Sequence, residues 1–440
     1  MDEVVVIGYG TAKRKDITGS VASVNSETLA AIPVASATEA LQGKMAGVQI
    51  TTTEGSPDAQ MSIRVRGGGS ITQSNEPLFI VDGFPVESIS DIPPTDIESI
   101  DVLKDASSTA IYGARGANGV IIVTTKSGKE GKVSVSYNAY YAWKKVAKTL
   151  DVLSASDYTK WQYELAQLTN KNDDYIKYFG NYQDLDMYDN VATNDWQDLT
   201  FGRTGHSFNH NLSINGGSDK FKYSFSYSHI DDKAIMQMSD YARDNLNLKL
   251  NHKPLKNVSL DFSARFSKTK INGGGSNDAN SSLNTDKRLK YSLLYTPYPV
   301  PGISDALNAD EEDANSLLIN PLISLRDNDT RKERINYNLA GSITWEIIKD
   351  LKLKAEVGYD DYRNNADRYY GVTTYYVRNN VDDEDKSKPA ISFTRGTRTA
   401  FRSTNTLSYD FKKFFKNNKN HLNLLAGQEY IAVSYTHLRA

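Results

Sequence analysis

His206 and His210 fall in a segment of alternating residues, where strand geometry places both on the face of Phe208. Two imidazoles on one face begin a zinc site, but no carboxylate or third ligand stands at useful spacing to complete it. Surface or lumen polarity is the plainer reading of the pair. Gly113, Gly116 and Gly119 in YGARGANGV repeat every third position, which is neither the dinucleotide fingerprint nor a Walker loop with its Lys-Ser/Thr. Tight turning of the chain explains them better. Asp310 to Asp313 and Asp382 to Asp385 supply carboxylates for calcium, without the spaced ligands and glycine of an EF-hand loop; solvated loops are the alternative. There is no cysteine, so thiol chemistry, disulfides and cysteine-ligated metal are excluded. No G-x-S-x-G elbow or metalloprotease helix occurs. No catalytic constellation stands out, and the expectation is a chain that is not an enzyme, takes no cofactor and has no assigned metal ligand.

At 440 residues the chain is long enough for two or more domains. A formal net charge of -3 gives no general attraction to nucleic acid or to anionic lipid. No run of eighteen apolar residues is present, which excludes a membrane-spanning helix, and Met1-Asp2-Glu3 does not open a signal peptide. Mean hydropathy is negative, yet this does not argue against a β-barrel, where only alternate residues meet lipid. The 27 tyrosines outnumber the 14 phenylalanines and 4 tryptophans, a balance that fits membrane-interface girdles and carbohydrate-contacting loops equally.

The elements that would position any site fall into two styles. Residues 77–126 read as short strands and helices: Leu78-Phe79-Ile80-Val81, a turn at Asp82-Gly83, a capping box from Thr95 and Glu98, a strand from Ile100 to Lys104, a helical turn over Ala106 to Ala110 and a strand from Val120 to Val123. Upstream, Val4 to Ile7 is a β-branched run, and alternation marks a strand between Ile17 and Val24. Ser36 and Glu39 then cap a helix over about Thr38 to Met45, followed by strands at Val48 to Thr52 and Met61 to Arg66. Arg64 and Arg66 share one face of the last of these.

After the polar linker KSGKEGK, residues 126–132, the pattern becomes long and alternating. Phe221, Tyr223, Phe225 and Tyr227 alternate with Lys222, Ser224, Ser226 and Ser228, and about nine such strands are recognisable. Their connections alternate short and long throughout, as in an up-and-down barrel with tight turns at one end and extended loops at the other. Within the first long connection Ser154 is placed to cap a helix carrying Tyr158, Trp161, Leu165 and Leu168. Tyr291, Tyr295, Tyr298, Tyr369, Tyr370, Tyr375 and Tyr376 fall in other long connections, as sugar-stacking or girdle residues.

The motifs SIRVRG, PLFIVDG and DIESIDVLKDASSTAIYGARGANGVIIVTTK stand in order within Asp2 to Lys126, and this segment resembles the plug of TonB-dependent outer-membrane transporters of the SusC-like branch. The resemblance implies an α/β plug domain, a small mixed sheet with short helices, followed by antiparallel transmembrane β-barrel strands. Residues 1–10 would be a TonB-box-like segment, 11–132 the plug and 133–440 the N-terminal portion of a barrel of about 22 strands, only partial here. Asp2, Glu3, Val4, Val5 and Val6 match the TonB box, whose partner, TonB with ExbB and ExbD, pulls by strand pairing; the first strand of a domain is the plainer alternative. Arg64, Arg66 and Arg115 would bind acids of the lumen and hold the plug, or else form an exposed basic face. The implied function is energy-coupled import of a large nutrient, oligosaccharide or peptide, across the Gram-negative outer membrane, with a SusD-like surface lipoprotein as lid. A siderophore or cobalamin receptor, and a soluble β-rich surface-binding protein, are the competing readings.

Overall fold

The computed structural model describes residues 4–7, 10–13, 21–30, 34, 36–52, 61–65, 67, 75–273, 288–301, 320–374, 377, 388–411 and 422–439. Two short hairpins and a five-stranded sheet make up the N-terminal unit. The hairpins are β1 (Val4–Ile7) with β2 (Gly10–Lys13), and β4 (Val48–Thr52) with β5 (Met61–Val65). The larger sheet contains β3 (Val21–Asn25), β6 (Leu78–Val81), β7 (Phe84–Val86), β8 (Ile97–Leu103) and β9 (Val120–Thr125) in the order β3-β8-β9-β6-β7. Only β6 and β9 run parallel. β6 and the run Val120 to Val123 of β9 are apolar at every position because both faces are covered. Phe79, Val81, Ile121 and Val123 pack with Leu29, Leu41 and Ile63 on one side. Ile80, Val120 and Ile122 pack with Leu103 on the other.

Local chemistry sets the corners of this unit. Asp82 and Gly83 both have positive φ, 50° and 89°, the backbone of a two-residue hairpin whose twist matches its strands. Ser36 caps α1 (Ala37–Ala40) by accepting the Glu39 amide at 3.1 Å, but this helix stops short of the expected Met45, since Gly43 turns the chain at φ 69°. The capping box at Thr95 and Glu98 does not form. Pro94–Asp96 is a single 3-10 turn without a side-chain cap, and from Ile97 the chain is committed to β8, where pairing with β3 and β9 overrides the local helical signal.

Beyond residue 130 one antiparallel sheet of nine strands runs in strict sequence order. Its strands are β10 (Gly131–Lys144), β11 (Gly205–Gly217), β12 (Phe221–Lys233), β13 (Asp240–Leu255), β14 (Val258–Asn272), β15 (Thr330–Ile348), β16 (Leu351–Tyr370), β17 (Ala390–Asp410) and β18 (Asn423–Arg439). The strands are longer than the alternating segments suggest, and the rule of short and long connections weakens accordingly. Residues 234–239 join β12 to β13 with fewer residues than the 411–422 link between β17 and β18, because pairing down to Lys233 and Asp240 turns loop into strand.

Burial in this sheet is reversed relative to a water-soluble fold. Ser224, Ser226, Ser228, Asn245, Asn247, Asp360 and Thr404 are buried on the concave side, whereas Leu339, Ile343, Trp345, Val357 and Tyr359 are exposed on the other. An exposed apolar face of this extent has no place in water, and hydrocarbon is the solvent that fits it.

Above the strands, α2 (Ala155–Thr169) begins where Ser154 accepts the Asp157 amide at 3.1 Å. Its buried face is Ala155, Tyr158, Thr159 and Ala166, while Trp161, Leu165 and Leu168 are exposed, so the stripe read from the sequence is only partly the packed one. Tyr158 and Thr159 meet Tyr298 from another connection, the two hydroxyls of Thr159 and Tyr298 lying 2.5 Å apart.

Candidate functional site

The two units meet along a polar seam, and one contiguous stretch, residues 82–96, supplies most of the contacts from the N-terminal side. At the β6–β7 turn the Asp82 carboxylate accepts the backbone amide and the hydroxyl of Thr125, at 2.9 and 2.7 Å, which is possible because β6 and β9 lie side by side. Lys249 reaches in from β13 and donates to Asp82 and to the Thr125 carbonyl, both at 2.8 Å. Burial alone would raise the Asp82 carboxyl, but the Lys249 ammonium, the nearby Arg265 guanidinium and the Thr125 amide together hold it below its ordinary value.

One residue on, the Gly83 carbonyl accepts from Arg402 of β17, whose guanidinium lies 5.2 Å from the centre of the Phe84 ring. The same ring is seated where β16 has Gly358: a Cβ there would lie 1.8 Å from the ring edge. Further along, Glu87 pairs with Arg398 at 3.2 Å, and Arg398 pairs with Asp360 at 2.9 Å. Arg243, 1% exposed, donates to the Ser90 carbonyl at 2.8 Å. Asp91 accepts from Arg334 at 3.3 Å, and Thr95 accepts from Asn211 at 2.8 Å. Asp96 ends the series, buried against the wall; its carboxyl is raised by burial, an effect that Ser226, Asn211, Lys126 and Arg243 only partly offset.

Such an arrangement binds and positions. Asp82, Asp91, Asp96, Lys249, Arg243, Arg334 and Arg398 each have a partner of opposite sign or a hydrogen bond, the condition under which buried ions are tolerated. A cavity of about 750 Å³ opens along the seam, with Glu87, Asp91 and Asp96 on one side and Asn245, Arg334 and Asp360 on the other.

The residues singled out from sequence do not converge here. Val4, Val5 and Val6 lie on β1, in a hairpin with β2, and Asp2 and Glu3 lie outside the described residues. Arg64 on β5 and Arg115 in the 3-10 turn before β9 are exposed, Arg66 lies outside the described residues, and the described contacts across the seam are made by other side chains. Lys249, Arg334, Arg398 and Arg402 were missed. Their signal is a lone cation on the polar side of an alternating strand, as where Lys249 stands between Leu248 and Leu250.

His206 and His210 face outward, hydrogen-bonded to Tyr141 at 2.7 Å and Tyr137 at 2.5 Å. Both acidic clusters, with Tyr375 and Tyr376, lie outside the described residues. Tyr295, Tyr298 and Tyr370 are buried and so unavailable for sugar stacking. In the same loop layer the Tyr175 hydroxyl is pushed up to about 12, by burial and then by the neighbouring Tyr188, Tyr163 and Tyr182.

Comparison with known proteins agrees with this geometry. Residues 13–120 match the family described as TonB-dependent Receptor Plug Domain. The chain is 40% identical over 253 residues to TonB-dependent receptor SusC of Bacteroides thetaiotaomicron, covering 55% of this chain and 24% of that protein. It is 32% identical over 444 residues to TonB-dependent receptor P3 of Formosa agariphila, covering 98% of this chain and 40% of that one. Among solved structures, the RagAB peptide importer in its open-open state superimposes with a TM-score of 0.75 at 26% identity, over 99% of this chain and 50% of that chain. The ferric citrate transporter FecA, at 12% identity and a TM-score of 0.58 over 96% of this chain and 49% of its own, shares the fold. This chain thus spans less than half the length of those two curated relatives. With its apolar belt turned outward and its N-terminal unit bound to the polar concave face, the chain belongs to the SusC-like TonB-dependent receptors of the outer membrane, and its described residues form a plug and nine strands of barrel wall.

Proposed function

We propose that this chain takes part in energy-coupled import of a nutrient too large for a porin, oligosaccharide or peptide, with the plug as the gate. The observation that carries this reading is the seam: a separately cored unit is held to a membrane wall by ion pairs and hydrogen bonds rather than by a shared apolar core. Such contacts hold the plug in one setting, yet they exchange readily for water when force is applied. Asp2 to Val6 are the point of attachment for TonB, driven by ExbB and ExbD, and a SusD-like surface lipoprotein is the outer lid. Likeness to SusC and to the RagAB peptide importer supports that lid. Arg64, Arg66 and Arg115 are kept as contacts to further wall strands of the kind the longer relatives have room for. The soluble reading conflicts with the outward apolar belt.

Removal of residues 2–6 tests the mechanism directly. Cells producing the variant should bind fluorescent oligosaccharides or peptides at the surface but accumulate them only at background level, and accumulation equal to the unaltered receptor would defeat the proposal.

A further inference from the structure

The N-terminal segment is not a single extended strand. β1 pairs antiparallel with β2 in the register Val4↔Lys13, Val5↔Ala12, Val6↔Thr11 and Ile7↔Gly10. Among the described residues these strands form a sheet of two on their own, apart from the five-stranded sheet. In an antiparallel pair only alternate residues direct their N–H and C=O groups at the partner. The remaining groups of β1 point away from β2 and, among the described residues, form an open edge. Two strands alone are marginal in water, and a third is what gives such a sheet independent stability. Val4, Val5, Val6 and Ile7 are all β-branched and favour the extended state the edge requires.

We propose that the docking unit is the whole hairpin: an extended strand of the energy-transducing partner adds to the free edge of β1, with Gly10–Lys13 as the scaffold strand behind it. This rests on the reading of residues 2–6 as the partner-binding segment and extends that segment to residue 13. With β2 already holding β1 extended, docking orders less backbone than capture of a free coil would. The added strand in turn completes a sheet of three, so hairpin formation and docking reinforce one another. The opposite arrangement, in which β2 covers β1 and must be displaced, reverses the sign of every effect below.

The test is the affinity of the purified C-terminal domain of TonB for the receptor in lipid nanodiscs. Ala12→Pro removes a backbone donor from β2 and breaks the pairing, and should weaken binding about tenfold, while Ala12→Ser should bind as the unaltered chain does. Val5→Cys with Ala12→Cys joins directly opposed positions in a chain that has no other cysteine. Its oxidised form should bind at least as tightly as its reduced form. Binding that is unchanged or tighter for Ala12→Pro, or weaker on oxidation of the cysteine pair, overturns the hairpin proposal. Deletion of residues 2–6 separates the two levels: binding that survives it sinks the partner-binding reading and the hairpin with it. Binding lost on deletion but indifferent to Ala12→Pro sinks the hairpin alone.

Discussion

The plug and the wall are written in the same alphabet with the inside and outside exchanged. In the plug, Ile100, Ile121 and Val123 are fully buried and the charged residues Arg64 and Arg115 are exposed. In the wall, Ser226, Asn247 and Asp360 are buried while Leu339 and Val357 are exposed. Alternation alone cannot say which face is which, since a strand with one apolar face serves either solvent. The neighbour decides. Where a plug packs against the polar face, the apolar face is left for lipid.

The sharpest way to break this comparison is to place the same charge in both regions. Ile121→Arg buries an unpaired cation in a core that is 0% exposed, and a loss above roughly 5 kcal/mol is expected, enough to prevent the plug from forming. Limited trypsin digestion would then cut the plug while sparing the wall. Leu339→Arg puts the cation on the lipid face, where about 3 kcal/mol is expected, read as a lowered urea midpoint for folding into vesicles. Equal effects at the two sites would contradict the assignment of two solvents.

Smaller changes address the seam itself. Asp82→Asn keeps an acceptor for Thr125 but leaves Lys249 without its counter-charge, for a cost of about 2 kcal/mol in plug unfolding followed by near-ultraviolet circular dichroism. Because the folded-state carboxyl titrates below its ordinary value, this contribution is complete above the ordinary carboxylate range and drains away as pH falls through the depressed value. The variant should lack that acid-side loss. Asp96→Asn is the smallest, with the opposite sign. Its carboxyl is raised by burial, so ionised Asp96 opposes folding at neutral pH and the opposition fades as pH falls through the raised value. The amide should stabilise the plug at pH 7 and make no difference in acid, read from the same unfolding signal.

Much of the fold was legible because period two is a strong signal wherever a strand has two unlike faces. Phe221 to Ser228 displays it, and the continuous runs Leu78–Val81 and Val120–Val123 are the strands covered on both faces. The helix at Thr95 to Glu98 failed because a capping signal contributes about 1 kcal/mol, while two flanking strands in register contribute far more. At the seam, sequence pointed to Arg64 and Arg115 because they stand out in the plug motifs, yet the described pairing depends on which plug surface faces the wall. That is fixed by packing between residues more than a hundred positions apart, such as Asp82 with Lys249. The loop tyrosines show the same limit: Tyr295 and Tyr298 look available from sequence, but packing against Trp196 and Tyr158 buries them.

Phe84 in the notch at Gly358 works as a key in a keyway. A smooth cylinder inside a round sleeve would be free to turn about the axis, whereas a ring edge lodged where one stave lacks a side chain permits a single rotational setting. A stopper displaced from the wall would come back to that index mark whenever it docks again.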